Sequence, residues 1–462
     1  MPLTRLLNAC YHFPGFVYAA VRLLQATGII EVDVRPRRGS RPHCSCCGKT
    51  AAGYDVLPMR RFEFIPIWGY AVQLLYCMRR VQCRRCGVKV EQVPWAMGKH
   101  TLTKAYMLYL AHWARKLSWQ ETALSFGTTW DHVCHAVEYV VQWGLEHREL
   151  GPLRAIGVDE IQVGRGHKYL TLVYQIEANC IRLLWVGKER TTQSFEKFFT
   201  LIGQELAEKI EFVCSDMWQP YLLLIAKHCT RALNILDRFH VVAKLNKALD
   251  EVRASEARRM IREGYEPVLK KKRRCLLKRP ENLTDNQRMS LRELLGYNLK
   301  SVRAYLLKEE FQLFWEYESP AWAAKFLDAW CTRAMRSRIE PVKKFARTVR
   351  AHRELLLNYF RAKKQFSSGV IEGLNNKAKV TMRKAYGYRT FRIAELSLYH
   401  VLGKLPEPQL THRFFRRGFF FGKSSGDRGD GQAQIVQCGD VDTASRVAGW
   451  RCFGAADDVR PT

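Results

Sequence analysis

Four cysteines in two short steps are the first residues whose types and spacing could do chemistry: Cys44-Ser45-Cys46-Cys47-Gly48 and Cys83-Arg84-Arg85-Cys86-Gly87. A CxxC turn aims two thiolates at one ion, zinc takes four thiolates in a tetrahedron, and a glycine after the second cysteine permits the tight turn. Residues 48 to 82 separate the two steps, a length that suits an intervening hairpin. The pattern predicts a zinc ribbon holding one structural Zn²⁺ through Cys44, Cys47, Cys83 and Cys86, with His43 and Cys46 as substitute ligands. The chain's 15 cysteines, an odd number, do not form a disulfide-scaffold pattern, and paired CxxC steps in a reducing compartment indicate metal.

A second constellation is acidic. Asp159 closes the apolar run Ala155-Ile156-Gly157-Val158, and Asp216 follows Phe212-Val213-Cys214-Ser215. Both runs have the composition of strands, and strand ends on one edge bring their carboxylates together. Like charges that close are costly unless a divalent cation compensates them, so the pair points to Mg²⁺ or Mn²⁺. Two metal sites need a third carboxylate, and Glu372 in Ser368-Gly369-Val370-Ile371-Glu372-Gly373 is the candidate. Glu160 falls on the opposite strand face from Asp159 and is left out. Asp237 and His240 follow a strand expected beside that of Asp159. They are placed to support the metal ligands, although Asp237 reads equally well as the cap of the next helix.

The elements that must position these residues follow from hydrophobic periodicity. Segments 154–163, 168–177 and 180–186 are three successive strands, followed by a helix over 192–207, a strand over 211–214, a helix over 220–228 and a strand over 232–236. That order, βββαβαβ, is not the regular alternation of a doubly wound sheet. Upstream, 104–117, 119–126 and 132–143 have helical spacing, and Ser118 with Glu121 forms a capping box. The turn Phe126-Gly127-Thr128-Thr129-Trp130 makes a helix-turn-helix of the last two. Residues 241–365 read as helical throughout, and a last long helix over 370–383 is opened by Ser367, Ser368 and Gly369.

Composition narrows the partner. Lys plus Arg number 75 against 44 acidic residues, a net charge of +31, with 12% aromatic residues and 12 tryptophans. The aromatics exclude a wholly disordered chain, and the charge argues against a small cationic substrate and for a polyanion, above all nucleic acid. The basic run Lys270-Lys271-Lys272-Arg273-Arg274 is a candidate DNA contact. Arg22, Gln25 and Gly28 interrupt the most apolar stretch, 13–30, so neither a membrane span nor a signal peptide is expected.

The strings Gly157-Val158-Asp159-Glu160, Ser215-Asp216-Met217-Trp218-Gln219-Pro220-Tyr221, Asp237-Arg238-Phe239-His240-Val241, Ile371-Glu372-Gly373-Leu374-Asn375-Asn376-Lys377-Ala378-Lys379 and Tyr386-Gly387-Tyr388-Arg389-Thr390-Phe391 resemble those of the ISL3-type insertion-sequence transposases. The resemblance covers roughly residues 40–412. It implies a multidomain α/β protein: a zinc ribbon at about 40–92 within an N-terminal region 1–92, a helix-turn-helix DNA-binding domain at 93–150, and an RNase H-like catalytic domain at 151–412 with a helical insertion at about 242–365. A disordered tail is expected at 413–462. The family's acidic triad falls on Asp159, Asp216 and Glu372, which implies two Mg²⁺ or Mn²⁺ ions, cleavage at element ends and strand transfer into target DNA. Lys379, two helical turns beyond Glu372, is expected with Arg383, Asn375 and Lys377 to hold DNA phosphates. A homo-oligomeric active complex and a cytoplasmic, nucleoid-associated protein are implied. A DNA-binding regulator without catalysis and an RNase H-like nuclease without joining activity are the alternatives.

Overall fold

The computed structural model describes residues 3–164, 168–266, 268–366, 368–385 and 387–408. The tail expected from 413, and Ser367 at the opening of the last long helix, lie outside these. A short helix, α1 (Leu3–Cys10), precedes β1 (Phe16–Leu24) and β2 (Ile29–Pro36), then β3 (Ala52–Ile67), β4 (Tyr70–Cys83) and β5 (Gly87–Val90). They form one sheet in the order β1-β2-β4-β3, with β5 also on β4. The apolar stretch 13–30 is thus strand, not helix. Arg22, which interrupts it, pairs with Asp33 across β1 and β2 at 2.9 Å, and Gly28 turns the chain at φ 64°. Trp95, 1% exposed, anchors this sheet's core against the rings of Phe13, Phe16 and Tyr76. No helix among the described residues is long and apolar enough to cross a membrane.

Three helices follow, α2 (Lys104–Ala114), α3 (Trp119–Ser125) and α4 (Trp130–Glu146). Both hydrogen bonds of the Ser118–Glu121 capping box form, and Gly127 makes the turn at φ 60°. Val133, Val137 and Val140 of α4 share one core with Ala155, Leu172 and Leu398 further along the chain. Helices α2 to α4 thus pack largely with the region that follows them, while Trp95 and Ala105 belong to the first sheet's core.

The second sheet contains β6 (Ala155–Gln162), β7 (Tyr169–Glu177), β8 (Cys180–Lys188), β9 (Phe212–Ser215) and β10 (Leu233–Leu236). Its order is β10-β9-β6-β7-β8. The first three strands in the chain pair antiparallel, and β9 and β10 add in parallel on the other side of β6. Between them run α5 (Thr192–Ile202), α6 (Gln204–Glu208) and α7 (Gln219–His228). The single helix expected over 192–207 is broken in two by Gly203 at φ 76°, a backbone conformation an L residue rarely adopts.

After β10 come α8 (Arg238–Arg262), α9 (Arg273–Leu277), α10 (Asp285–Leu295), α11 (Lys300–Gln312), α12 (Pro320–Arg336), α13 (Glu340–Ala351) and α14 (Arg353–Arg361). These helices bury their own core around Trp315, Trp330, Phe311 and Phe345. Trp322 is instead exposed, with Lys325 over its ring at 4.6 Å. Two helices, α15 (Ser368–Lys384) and α16 (Phe391–Leu402), return to the second sheet.

The second sheet is covered on both faces. Ile156 and Val158 of β6 pack with Phe195 and Phe198 of α5 and Tyr221 of α7. On the other face α15 lies so close to β6 that a Cβ on Gly157 would sit 2.5 Å from Ile371 Cδ1. Ile371 is itself 1% exposed and has no space to retreat into. Gly157→Ala should therefore cost about 1–3 kcal/mol, the usual range for overpacking a filled core. Urea unfolding checks this: an unchanged midpoint would show that α15 is free to lift.

Candidate active site and metal centre

The two cysteine steps meet. The sulfurs of Cys44, Cys47, Cys83 and Cys86 all lie within 4.8 Å of one another, with Cys47 and Cys83 3.6 Å apart. Each step closes on a left-handed glycine, Gly48 at φ 70° and Gly87 at φ 72°. The hairpin expected between them is β3 and β4, turned by Trp68 and Gly69, both at positive φ. Backbone N–H groups of Arg85 and Cys86 lower the Cys83 thiol to about 7, and burial raises that of Cys86. Four convergent sulfurs, two of them buried, have the chemistry of a tetrahedral thiolate metal site.

The acidic residues are positioned by strand register. Gly157 is paired with Cys214 across β6 and β9, and Cys214 with Ile235 across β9 and β10. Two residues further along come Asp159, Asp216 and Asp237, one row across the sheet just past the ends of β9 and β10. The bond from Asp237 N to Ser215 O, at 2.8 Å, carries the ladder to that row. Asp159 does not end its strand as expected. Strand β6 runs on to Gln162 because β7 continues to pair with it, and only its parallel partner stops short.

Around this row the contacts are specific. Oxygens of Asp159 and Asp237 and a His240 ring nitrogen lie within 4.8 Å of one another. His240 Nε2 is 3.6 Å from Asp159 and 3.7 Å from Asp237. Hydrogen bonding to Asp159, opposed by burial and reinforced by the charges of Asp159, Asp237 and Asp216, raises the His240 imidazole to about 9. Asp237 also caps α8, accepting from Phe239 N at 2.7 Å, the structural role expected for it. Asp216 accepts from Arg190 Nη2 at 2.6 Å and from Trp218 N at 2.7 Å.

Arg190, in the loop between β8 and α5, reaches Glu160 Oε1 at 3.0 Å with its Nε and lies over the Trp218 ring at 4.6 Å. Burial, followed by the neighbouring charge of Asp216, raises the Glu160 carboxyl to about 7. Arg190 was not among the expected residues. A single arginine in a loop has no spacing to mark it out. Glu160 does lie across the strand from Asp159, as alternation requires.

Glu372 is exposed on α15, and among the described residues its side chain makes no ion pair or hydrogen bond. It shares one exposed helical stripe with Asn376, Lys379 and Arg383, at intervals of four, three and four residues. Asn375 is a correction. Expected to face phosphates, it is 5% exposed, and both ends of its amide are engaged, with Asp159 at 2.6 Å and the Tyr174 hydroxyl at 2.9 Å. Lys377 lies about 160° around the helix from Lys379 and lines a different hollow with Lys116 and Lys384. The basic run 270–274 is partly neutralised, since Arg273 pairs with Asp250 and Lys272 with Glu293.

With this geometry, the comparisons with known proteins define the class. Residues 156–397 match the family model described as transposase, of the ISL3 type with a DDE core. The chain belongs to the ISL3-type transposase family, whose members are DNA transposases. It is 28% identical over 349 residues to the transposase of insertion sequence element IS1001 from Bordetella parapertussis, an overlap of 75% of this chain and 85% of that protein. To the transposase of IS1557 from Mycobacterium tuberculosis it is 29% identical over 387 residues, 77% and 85% of the two chains.

The thiolate cluster makes a direct prediction. Purified protein should carry about one thiolate-bound metal ion per chain. Cys83→Ser should release the ion and loosen the β3–β4–β5 end of the first sheet, while the separate cores around Phe195 and Trp330 persist. Elemental analysis checks the first part, and limited proteolysis of the two proteins checks the second. A metal-free wild-type protein with the same proteolytic pattern would refute the assignment.

Proposed function

We propose that this transposase cuts at the ends of its element and joins them to target DNA by metal-dependent phosphoryl transfer, with Asp159, Asp216 and Glu372 as the metal-holding carboxylates. One observation supports this most strongly: the row of Asp159, Asp216 and Asp237, in register across three parallel strands where β9 and β10 end, beside the helix that carries Glu372. The order of three antiparallel strands followed by alternating helices and strands is that of an RNase H-like core, with α8 to α14 as its insertion. The donor set fits a hard divalent cation, because carboxylate oxygens dominate it and only Arg190 and His240 oppose their charge. Two bound Mg²⁺ or Mn²⁺ ions would activate the attacking oxygen and stabilise the leaving 3′ oxygen.

Water attacks the phosphodiester first. The P–O bond to the leaving 3′ oxygen breaks, and the freed 3′-OH attacks a target phosphate in turn. The chain's own residues hold the carboxylates in one row and place cations beside the DNA. Lys379 and Arg383, on the exposed stripe with Glu372, would neutralise phosphates next to the scissile bond. The cysteine cluster, as a Zn²⁺ ribbon, and the α3–α4 pair are assigned to binding the element ends. For the pair, the exposed positions of α4 include Asp131 and Glu146, so its DNA contacts would come from α3 and the turn.

Asp159→Asn and Glu372→Gln should each abolish cleavage and joining while leaving end binding intact. Lys379→Ala should slow cleavage less, regain rate at low salt and lower the salt slope of binding by about one. A cleavage and strand-transfer assay on an end-containing duplex, run across a salt series, tests all three. Full activity in Asp159→Asn with Mg²⁺ would sink the carboxylate assignment. A wild-type salt response in Lys379→Ala would make the α15 stripe ordinary solvated surface.

A further inference from the structure

We infer that Asn375 is a positioning residue for Asp159, with Tyr174 fixing which way its amide points. This rests on Asp159 holding metal, as proposed above. Asp159 has two oxygens, and both are constrained. One accepts from Glu160 N at 2.8 Å and faces His240 at 3.6 Å. The other accepts from Asn375 Nδ2 at 2.6 Å. An amide can flip, and a flipped Asn375 would turn its own oxygen toward the carboxylate. The acceptor-only carboxylate opposes this, and the Tyr174 hydroxyl reinforces the observed orientation by donating to Asn375 Oδ1 at 2.9 Å. Tyr174 is fully buried, at 0% exposure, so this hydroxyl has no water as an alternative partner.

The contact also sets where Glu372 stands. Helix α15 meets β6 with Ile371 against Gly157 and Asn375 against Asp159. Four helical residues rise about 6 Å and two strand residues about 6.6 Å, so the two contacts stay in register and the helix can slide little along the strand. Glu372 is the residue after Ile371, and its stripe borders the buried edge that Asn375 occupies. Asn375 therefore does two things. It holds the Asp159 carboxylate in one rotamer, and it fixes the helix that delivers the third carboxylate. A neutral donor suits this task, because a lysine in its place would cancel the negative charge that attracts the cation.

The test uses the full-length chain bound to an element-end duplex, titrated with Mn²⁺ and followed by electron paramagnetic resonance. Thermal unfolding and metal-free DNA binding are measured alongside. Tyr174→Phe keeps the ring and removes only the hydroxyl. It should weaken Mn²⁺ binding about ten-fold, the usual effect of removing a group that orients a ligand, with unfolding and DNA affinity near wild type. Excess Mn²⁺ should restore its cleavage rate. Asn375→Leu should weaken Mn²⁺ binding at least as much. Wild-type Mn²⁺ affinity in both variants, with affinity lost in Asp159→Asn, would overturn this inference and leave the metal site standing. Wild-type affinity in Asp159→Asn would remove the site on which it rests.

Discussion

Repulsion within a row of carboxylates is the constraint on which this structure depends. Three parallel strands in register place Asp159, Asp216 and Asp237 side by side where β9 and β10 end. No backbone feature forces the strands apart, so positive charge and hydrogen-bond donors must offset the repulsion. Arg190 is drawn out of its loop to Asp216 and Glu160. His240 gains basicity between Asp159 and Asp237. The amide of Asn375 and the N–H groups of Glu160, Trp218 and Phe239 take up oxygens. The compensating groups come from several elements, with His240 and Phe239 N both on α8, so the row organises much of the second sheet's edge around itself.

The same charge logic holds at the scale of the chain. A protein of net charge +31 creates a field that gathers phosphates, and a cluster of bare carboxylates inside that field would repel them. Partial neutralisation by Arg190 and His240 makes the edge approachable to DNA without removing its demand for a cation. The exposed stripe of α15, with Lys379 and Arg383 on it, continues the positive surface up to that edge.

Much of this was legible in the sequence, for physical reasons. The runs around Asp159, Asp216 and Asn234 are short, β-branched and bounded by turn formers, so β6 to β10 could be placed within a few residues. The paired CxxC steps fixed which four cysteines meet, because no other spacing in the chain offers two such turns. Strands β1 and β2 were not legible. Their alternation is blurred by Arg22, which pairs with Asp33 across the two strands, and by Gln25 in the turn between them. The burial of Asn375 was hidden because helical periodicity gives spacing along a helix but not the rotation at which it docks. Only the close approach at Gly157 settles that angle. Arg190 and Tyr174 acquire their roles from tertiary contacts alone.

The helical insertion separates the two halves of the site by more than a hundred residues, and the Asn375–Asp159 bond spans 216 positions. Closing an unstructured loop of that length early would cost entropy with nothing to offset it. The insertion changes the problem, because it folds around its own core and returns the chain to where it left. Helix α14 packs back on β10, and Asn358 donates to Asn234 O at 2.8 Å. Once that body has formed, α15 has only a short connection left to close. Translation order then matters. A nascent chain can complete its second sheet and the row of Asp159, Asp216 and Asp237, yet Glu372, the proposed third carboxylate, arrives only after synthesis has passed the insertion and α15 has docked. On the proposed assignment, catalytic competence waits for that docking.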